Sequence, residues 1–136
     1  MAAGLRNRLA GMLASLLALT LMACATSPAA PDGTASAASK IRFRLDDINA
    51  DGLRGPPGGQ VSVAYEFCVP ADEKTYAAVR QIDAGVQISP GAKGRIGCSD
   101  TQALAIGQTA RSGWRDLLLA LAALPYVAEI REAFYE

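Results

Sequence analysis

The sequence contains no histidine, and this absence excludes several common kinds of catalytic site. Ser-His-Asp and Cys-His nucleophile pairs both need an imidazole base, and zinc sites with histidine ligands need an imidazole nitrogen. Acid–base catalysis would fall to Asp, Glu, Lys or Tyr side chains, and no catalytic motif contains them in a recognisable arrangement. We therefore predict a protein that is not an enzyme and that needs no metal or cofactor.

An excess of positive charge is also lacking. The 136 residues include 13 basic and 13 acidic side chains, and without residues 1–23 there are 11 basic against 13 acidic, a net charge of −2. Nucleic-acid binding requires a basic patch or stripe, so we expect no nucleic-acid partner. This charge also gives no reason to expect attraction to an anionic membrane surface.

The N-terminus has the parts of an export signal. Arg6 and Arg8 supply positive charge, and residues 9–22 are apolar apart from one serine and one threonine. This run is shorter than the roughly 20 apolar residues that a transmembrane helix needs. It is typical of the apolar region of a secretory signal peptide, which we place at residues 1–23.

The segment Leu21-Met22-Ala23-Cys24 resembles the lipobox of bacterial lipoproteins, in which an aliphatic residue, a tolerant position and a small residue precede cysteine. The resemblance implies cleavage after Ala23 and acylation of Cys24, which makes the membrane a partner through the lipid anchor. Ala25 then implies the periplasmic face of the outer membrane, if the organism is Gram-negative. The alternative is ordinary cleavage at the A-x-A pattern of residues 23–25, which yields a soluble periplasmic protein.

Residues 24–39 are mostly small and polar with one charge, so we predict a lipidated flexible tether before a single folded domain at residues 40–136. Residues 41–45 and 61–69 alternate between apolar and polar side chains, which is typical of half-buried strands. Glu66 falls on the polar side of the second strand and is expected to face solvent.

Asp72 and Ser112 are N-cap residue types, and each precedes a segment with helical spacing of apolar residues. From residue 61 to a closing strand at residues 126–135, the predicted order is strand, helix, strand, strand, helix, strand. This is the order of the ferredoxin-like α+β sandwich, with an antiparallel sheet and two helices on one face. The strand at residues 41–45 is then an extra N-terminal strand.

The stretch Leu121-Ala-Ala-Leu-Pro-Tyr-Val-Ala-Glu-Ile leads from the second predicted helix into the closing strand. It resembles the last helix and strand of ferredoxin-like propeptide and inhibitor domains of subtilisin-type proteases. The resemblance implies the same fold class and says little about function, because unrelated functions share this fold.

Cys68 and Cys98 are the cysteines that remain when Cys24 is lipidated. An oxidising compartment outside the cytoplasm favours a disulfide between them. The alternative is a redox-active pair, although the C-x-x-C spacing of many such pairs is not present.

Asp47, Asn49 and Asp51 belong to a D-x-N-x-D-G stretch that resembles the first half of an EF-hand calcium loop. The second half departs from that pattern, because Gly58 stands where the bidentate glutamate is expected and Arg54 adds a positive charge. The alternative interpretation is a hairpin loop rich in turn-forming residues.

Lys93 and Arg95 lie in a glycine-rich segment, residues 91–97, which follows the third predicted strand. Its backbone N–H groups and two cations offer a binding site for an anion. The alternative is a mobile turn with no ligand.

The function that these features favour is a small non-catalytic binding domain on a lipid tether in the cell envelope, with an envelope protein as its partner. The alternatives are a loop-based sensor of Ca²⁺ or an anion, and a hydrolase-type enzyme without histidine. A deep pocket with convergent titratable groups would favour the enzyme, whereas an exposed apolar surface would favour the binding domain.

Replacing Cys24 with alanine should leave the protein either uncleaved or soluble, because the acyl acceptor is lost. Membrane fractionation and labelling with a clickable fatty acid measure the change. Equal labelling of the Cys24→Ala variant and the parent protein would contradict the lipoprotein assignment.

Overall fold

The structure, a computed structural model, describes residues 33–135. They form a mixed α+β domain with three α-helices, a two-stranded antiparallel sheet and a four-stranded antiparallel sheet. The predicted signal peptide, Cys24 and the first part of the predicted tether lie outside the described residues. The elements are α1 (Gly33–Ser39), a 3-10 turn (Leu45–Asp47), β1 (Leu53–Arg54), β2 (Val61–Ser62), β3 (Ala64–Pro70), α2 (Glu73–Ile82), β4 (Gln87–Pro90), β5 (Gln102–Gln108), α3 (Trp114–Ala123) and β6 (Ile130–Glu132).

β3 is an inner strand of the larger sheet, whose order is β4-β5-β3-β6. It pairs with all seven residues of β5 and with the three residues of β6. Because side chains alternate along a strand, Tyr65, Phe67 and Val69 point to one face of the sheet, and all three are buried. We call this the helix face and the opposite side, which carries Glu66 and Cys68, the second face.

The helices α2 and α3 cover the helix face, where their apolar side chains join those of β3 in one core. The predicted cap of α2 is confirmed, since an Asp72 carboxylate oxygen accepts a hydrogen bond from the Thr75 amide at 2.8 Å. α3 differs from the prediction, because Gly113 and not Ser112 occupies its N-cap. Gly113 has a φ of 70°, a left-handed conformation that glycine adopts without a Cβ clash.

The extra N-terminal strand predicted at residues 41–45 is not present as a strand. Ile41 makes a single parallel bridge to Ile130, and the chain then turns into the 3-10 segment. Two hydrogen bonds, between Arg42 and Ile130 and between Ile130 and Lys40, hold this bridge beside the three-residue β6, and the chain then leaves its edge. The predicted closing strand at 126–135 is also shortened: the Val127 amide donates to the Leu124 carbonyl in a turn, and β6 comprises only Ile130–Glu132.

The last seven residues of the predicted tether are helical and form α1. α1 packs against α3, and its Ala37 side chain is buried in the core. Alanine has the highest helix propensity and its small side chain lets two helices approach closely, so a composition that is typical of a tether also suits this contact. The folded unit therefore begins by Gly33 and not at Lys40. None of the helices in residues 33–135 has the length and apolar character needed to cross a membrane.

Gly107 lies opposite Tyr65 in the β3–β5 ladder, and a Cβ added there would lie 2.3 Å from the Cζ atom of Tyr65. Gly107→Ala should therefore lower the free energy of unfolding by about 1–3 kcal/mol, the usual cost of overpacking. Urea denaturation measures the change. Gly59→Ala is the matched control, because the nearest atom to its added Cβ is 3.7 Å away. Equal stabilities for the two variants would contradict this packing.

Candidate functional site

A disulfide joins Cys68 of β3 to Cys98 of the loop between β4 and β5, which confirms the predicted bond. The two Cα atoms are 5.4 Å apart and the cysteines are separated by 30 residues. Closing a loop of this length contributes roughly 3–4 kcal/mol to stability in the chain-entropy model. The bond attaches the β4–β5 loop to the second face of the sheet.

The β4–β5 loop covers Glu66, which is only 4% exposed. The amide of Ile96 donates a hydrogen bond of 2.7 Å to a carboxylate oxygen of Glu66. Gly94 sits so close that a Cβ would lie 2.6 Å from Leu104 and 2.7 Å from the other Glu66 oxygen. The prediction that Glu66 faces solvent is therefore wrong, because periodicity within a strand carries no information about a distant loop that covers it.

Lys93 and Arg95 are both exposed on this loop. The ammonium group of Lys93 donates to an Asp100 carboxylate oxygen at 2.8 Å, which offsets its charge. The Lys93 carbonyl accepts hydrogen bonds from the Gly97 and Cys98 amides at 3.0 and 2.8 Å. With these two N–H groups and that of Ile96 already bonded within the protein, the loop has fewer donors for an anion than its glycine content suggests.

The D-x-N-x-D-G loop, residues 47–52, lies at the start of α3, where it contacts Trp114. The side-chain oxygen of Asn49 accepts hydrogen bonds from the backbone amides of Asp51 and Leu53, both at 3.0 Å. The backbone carbonyl of Asn49 accepts a hydrogen bond from the Trp114 indole at 2.8 Å. Asp47 forms an ion pair with Arg44 at 3.4 Å. The structure does not bring this loop together with Lys93 and Arg95. Within residues 33–135 there is no group of three or more Cys, Asp or Glu side chains arranged to hold a metal ion.

A buried polar network that the sequence did not indicate joins Tyr65, Asp83 and Arg111. The Tyr65 hydroxyl donates to one oxygen of the Asp83 carboxylate at 3.1 Å, while the Arg111 guanidinium and the Gly85 amide donate to the other. Burial, and then the charge of Asp83, raise the pKa of Tyr65 well above its ordinary value. The phenol stays protonated at neutral pH and Asp83 is fully hydrogen-bonded, so this network serves to hold β3, α2 and the segment before α3 together.

Three large apolar side chains are exposed close to one another at the end of the sheet where β3 begins. Val61 is 59% exposed, Phe134 60% and Tyr135 69%, and we call these residues the edge patch. They line a groove of about 330 Å³ together with Arg54, Ser62, Ala64, Gln108, Glu132 and Ala133. The sequence does not indicate the patch, because Phe134 and Tyr135 fall within the predicted closing strand.

Among the described residues that line this groove, the charged side chains are Arg54 and Glu132, and they neutralise each other. Arg54 and Glu132 form two parallel hydrogen bonds of 2.9 and 2.5 Å, which join β1 to β6. The hydrogen bond to Glu132 raises the pKa of Arg54 above its ordinary value. The described residues of the groove thus carry no net charge and expose apolar side chains, which suits a contact with another apolar surface.

Tyr65→Phe should lower the free energy of unfolding by about 1–2 kcal/mol at neutral pH, because one hydrogen bond to a buried carboxylate is lost. The pKa of Tyr65 is higher in the folded than in the unfolded chain, so its stabilising contribution is present below pH 10 or so and is lost as the pH rises further. The stability of the parent protein should therefore fall more steeply above about pH 10 than that of Tyr65→Phe.

Urea denaturation at neutral and alkaline pH measures both effects. Tyr135→Phe is the matched control, since the Tyr135 side chain is exposed and should affect neither value. Identical pH dependence in the parent and Tyr65→Phe would contradict the role assigned to the network.

No protein-family model, curated protein or solved structure matches this chain. The evidence for the function of this chain is therefore the chemistry and exposure of its described residues. Among the described residues, the buried polar side chains are hydrogen-bonded within the protein except for the Tyr126 hydroxyl. The edge patch is where three large apolar side chains are exposed together.

Proposed function

We propose that this chain is a cell-envelope lipoprotein whose folded domain is non-catalytic and binds an envelope protein. The cell-envelope location is supported by the charged and apolar segments of residues 1–23 and by the lipobox-like sequence that ends at Cys24. The Cys68–Cys98 disulfide agrees with an oxidising compartment outside the cytoplasm. A periplasmic product without lipid would carry the same disulfide, so the fate of Cys24 distinguishes the two.

We further propose that the domain is ferredoxin-like. The chain order β3-α2-β4-β5-α3-β6 and the all-antiparallel sheet order β4-β5-β3-β6 support this arrangement, as does the position of α2 and α3 on one face. α1 and the β1–β2 hairpin are then additions to it. This arrangement leaves the second face for the β4–β5 loop and for contacts with other molecules.

The observation that carries the binding function is the exposure of Val61, Phe134 and Tyr135 beside a common groove. A large apolar side chain that stays in water forgoes the stabilisation of burial, roughly 1.5–3 kcal/mol, and three of them together mark a surface that a partner can cover. Because Arg54 and Glu132 neutralise each other, the fitting partner offers an uncharged apolar segment and not a charged one.

The alternative functions have weaker support in the described residues. A calcium sensor would need the side-chain oxygen of Asn49, which already accepts two backbone hydrogen bonds. An anion sensor would need loop amides that are bonded to Glu66 and to the Lys93 carbonyl. Of the carboxylates that a hydrolase could use, Glu66 and Asp83 are buried and hydrogen-bonded within the domain, and Glu129 is paired with Arg42 and Arg131.

A photo-crosslinking amino acid in place of Phe134, in cells that produce the full chain, should join the protein to one discrete envelope protein. The same amino acid at Lys74, an exposed position on α2, is the matched control and should give no such product. Val61→Ser in the Phe134 reporter protein should reduce the product about tenfold, since a central apolar contact contributes on the order of 1–2 kcal/mol to binding.

Three other results would contradict the proposal. A product that persists undiminished with Val61→Ser would show that the three apolar side chains do not act together as the binding surface. A product of twice the mass of the chain would identify a second copy as the occupant. Crosslinks to lipid alone would identify the bilayer surface.

A further inference from the structure

We infer that Cys68 is a modification site at which a small polar thiol opens the disulfide and leaves Cys98 as the released sulfur. The two cysteines differ in exposure: Cys98 is 2% exposed, whereas Cys68 is partly exposed. Cys68 also lines a cavity of about 180 Å³ together with Ile96, Gly97, Gln102, Ala128 and Glu129. Access decides which sulfur of a disulfide is attacked, so this asymmetry makes attack at Cys68 the favoured route.

The size and lining of the cavity indicate the class of thiol. Its volume is below the roughly 300 Å³ at which pockets for drug-sized ligands begin, so it admits the sulfur end of a small molecule and little more. Gln102 and Glu129 give its wall polar side chains, and Gly97 adds no side chain to the lining. A low-molecular-weight thiol with polar groups fits this space better than the cysteine of a second protein.

The reaction is an exchange with no net oxidation. The sulfur of the incoming thiolate bonds to Sγ of Cys68, the bond between the two cysteine sulfurs breaks, and its electron pair goes to Sγ of Cys98. Cys98 takes a proton from water and becomes a thiol, while Cys68 carries the mixed disulfide. The attacking small thiol is the co-reactant and supplies the group that stays on Cys68.

The exchange would loosen the cover of the second face. The disulfide is the covalent attachment of the β4–β5 loop to β3, and after exchange the hydrogen bond from Ile96 to Glu66 and the contact of Gly94 with Leu104 remain. The chain-entropy contribution of the bond would be lost with it. A higher concentration of small thiols would therefore increase the exposure of Glu66. This inference does not depend on lipidation of the chain.

The full chain, as purified, is treated with millimolar 2-mercaptoethanol under native conditions, stopped with acid, alkylated and digested with trypsin. Lys74, Arg80 and Arg95 lie between the two cysteines, so cleavage separates Cys68 and Cys98 into different peptides. The mixed disulfide should appear on Cys68 in about tenfold excess over Cys98, with Cys98 alkylated. Equal amounts on both cysteines, an excess on Cys98, or no adduct until the protein unfolds would each overturn the inference.

A cavity-filling variant tests the route without changing either sulfur. Ala128→Leu, at an exposed position that lines the cavity, should slow exchange at Cys68 about fivefold by restricting access. Ala50→Leu is the matched control, since Ala50 is also exposed but lines a different cavity beside Trp114. Unchanged exchange in Ala128→Leu, or equal slowing in both variants, would show that the thiol does not enter by this cavity.

Discussion

β3 is buried on both faces, and the two layers that cover it account for most of the architecture. On the helix face, Tyr65, Phe67 and Val69 pack against α2 and α3. Helices of ten residues are marginal in water alone, so these two depend on that apolar surface for their stability. On the second face, the β4–β5 loop covers Glu66 and is attached through Cys68.

Backbone amides donate hydrogen bonds to the carboxylates that are buried around β3, and glycines allow the chain to pack closely there. Glu66 receives the Ile96 amide and Asp83 receives the Gly85 amide, so neither carboxylate is buried without a donor. Gly94 and Gly107 let a loop and a neighbouring strand approach side chains of β3 where any Cβ would collide. These buried polar groups stabilise the domain, so binding of a partner would have to involve residues on its surface.

The two surface features that we connect with function lie near opposite ends of β3. Ala64 lines the groove of the edge patch, and Cys68, four residues further along, lines the cavity where the disulfide is accessible. At about 3.3 Å per residue, the two positions are roughly 13 Å apart on one face of the sheet. One feature offers an apolar surface for non-covalent binding and the other a reactive sulfur, and both depend on β3 for their position.

The sequence by itself determined the mixed α+β class, the Asp72 cap and the cysteine pair, because alternation, capping and a shared oxidising environment are local or pairwise properties. It also contains the lipobox-like segment, which is a property of consecutive residues. Only the tertiary structure decided that α1 joins the fold, that residues 41–45 form no strand and that Glu66 is buried. Each of these depends on a partner far along the chain: α3 for Ala37, the short β6 for Ile41, and the β4–β5 loop for Glu66. The edge patch has the same origin, since Phe134 and Tyr135 are exposed where β6 ends and the sheet no longer covers them.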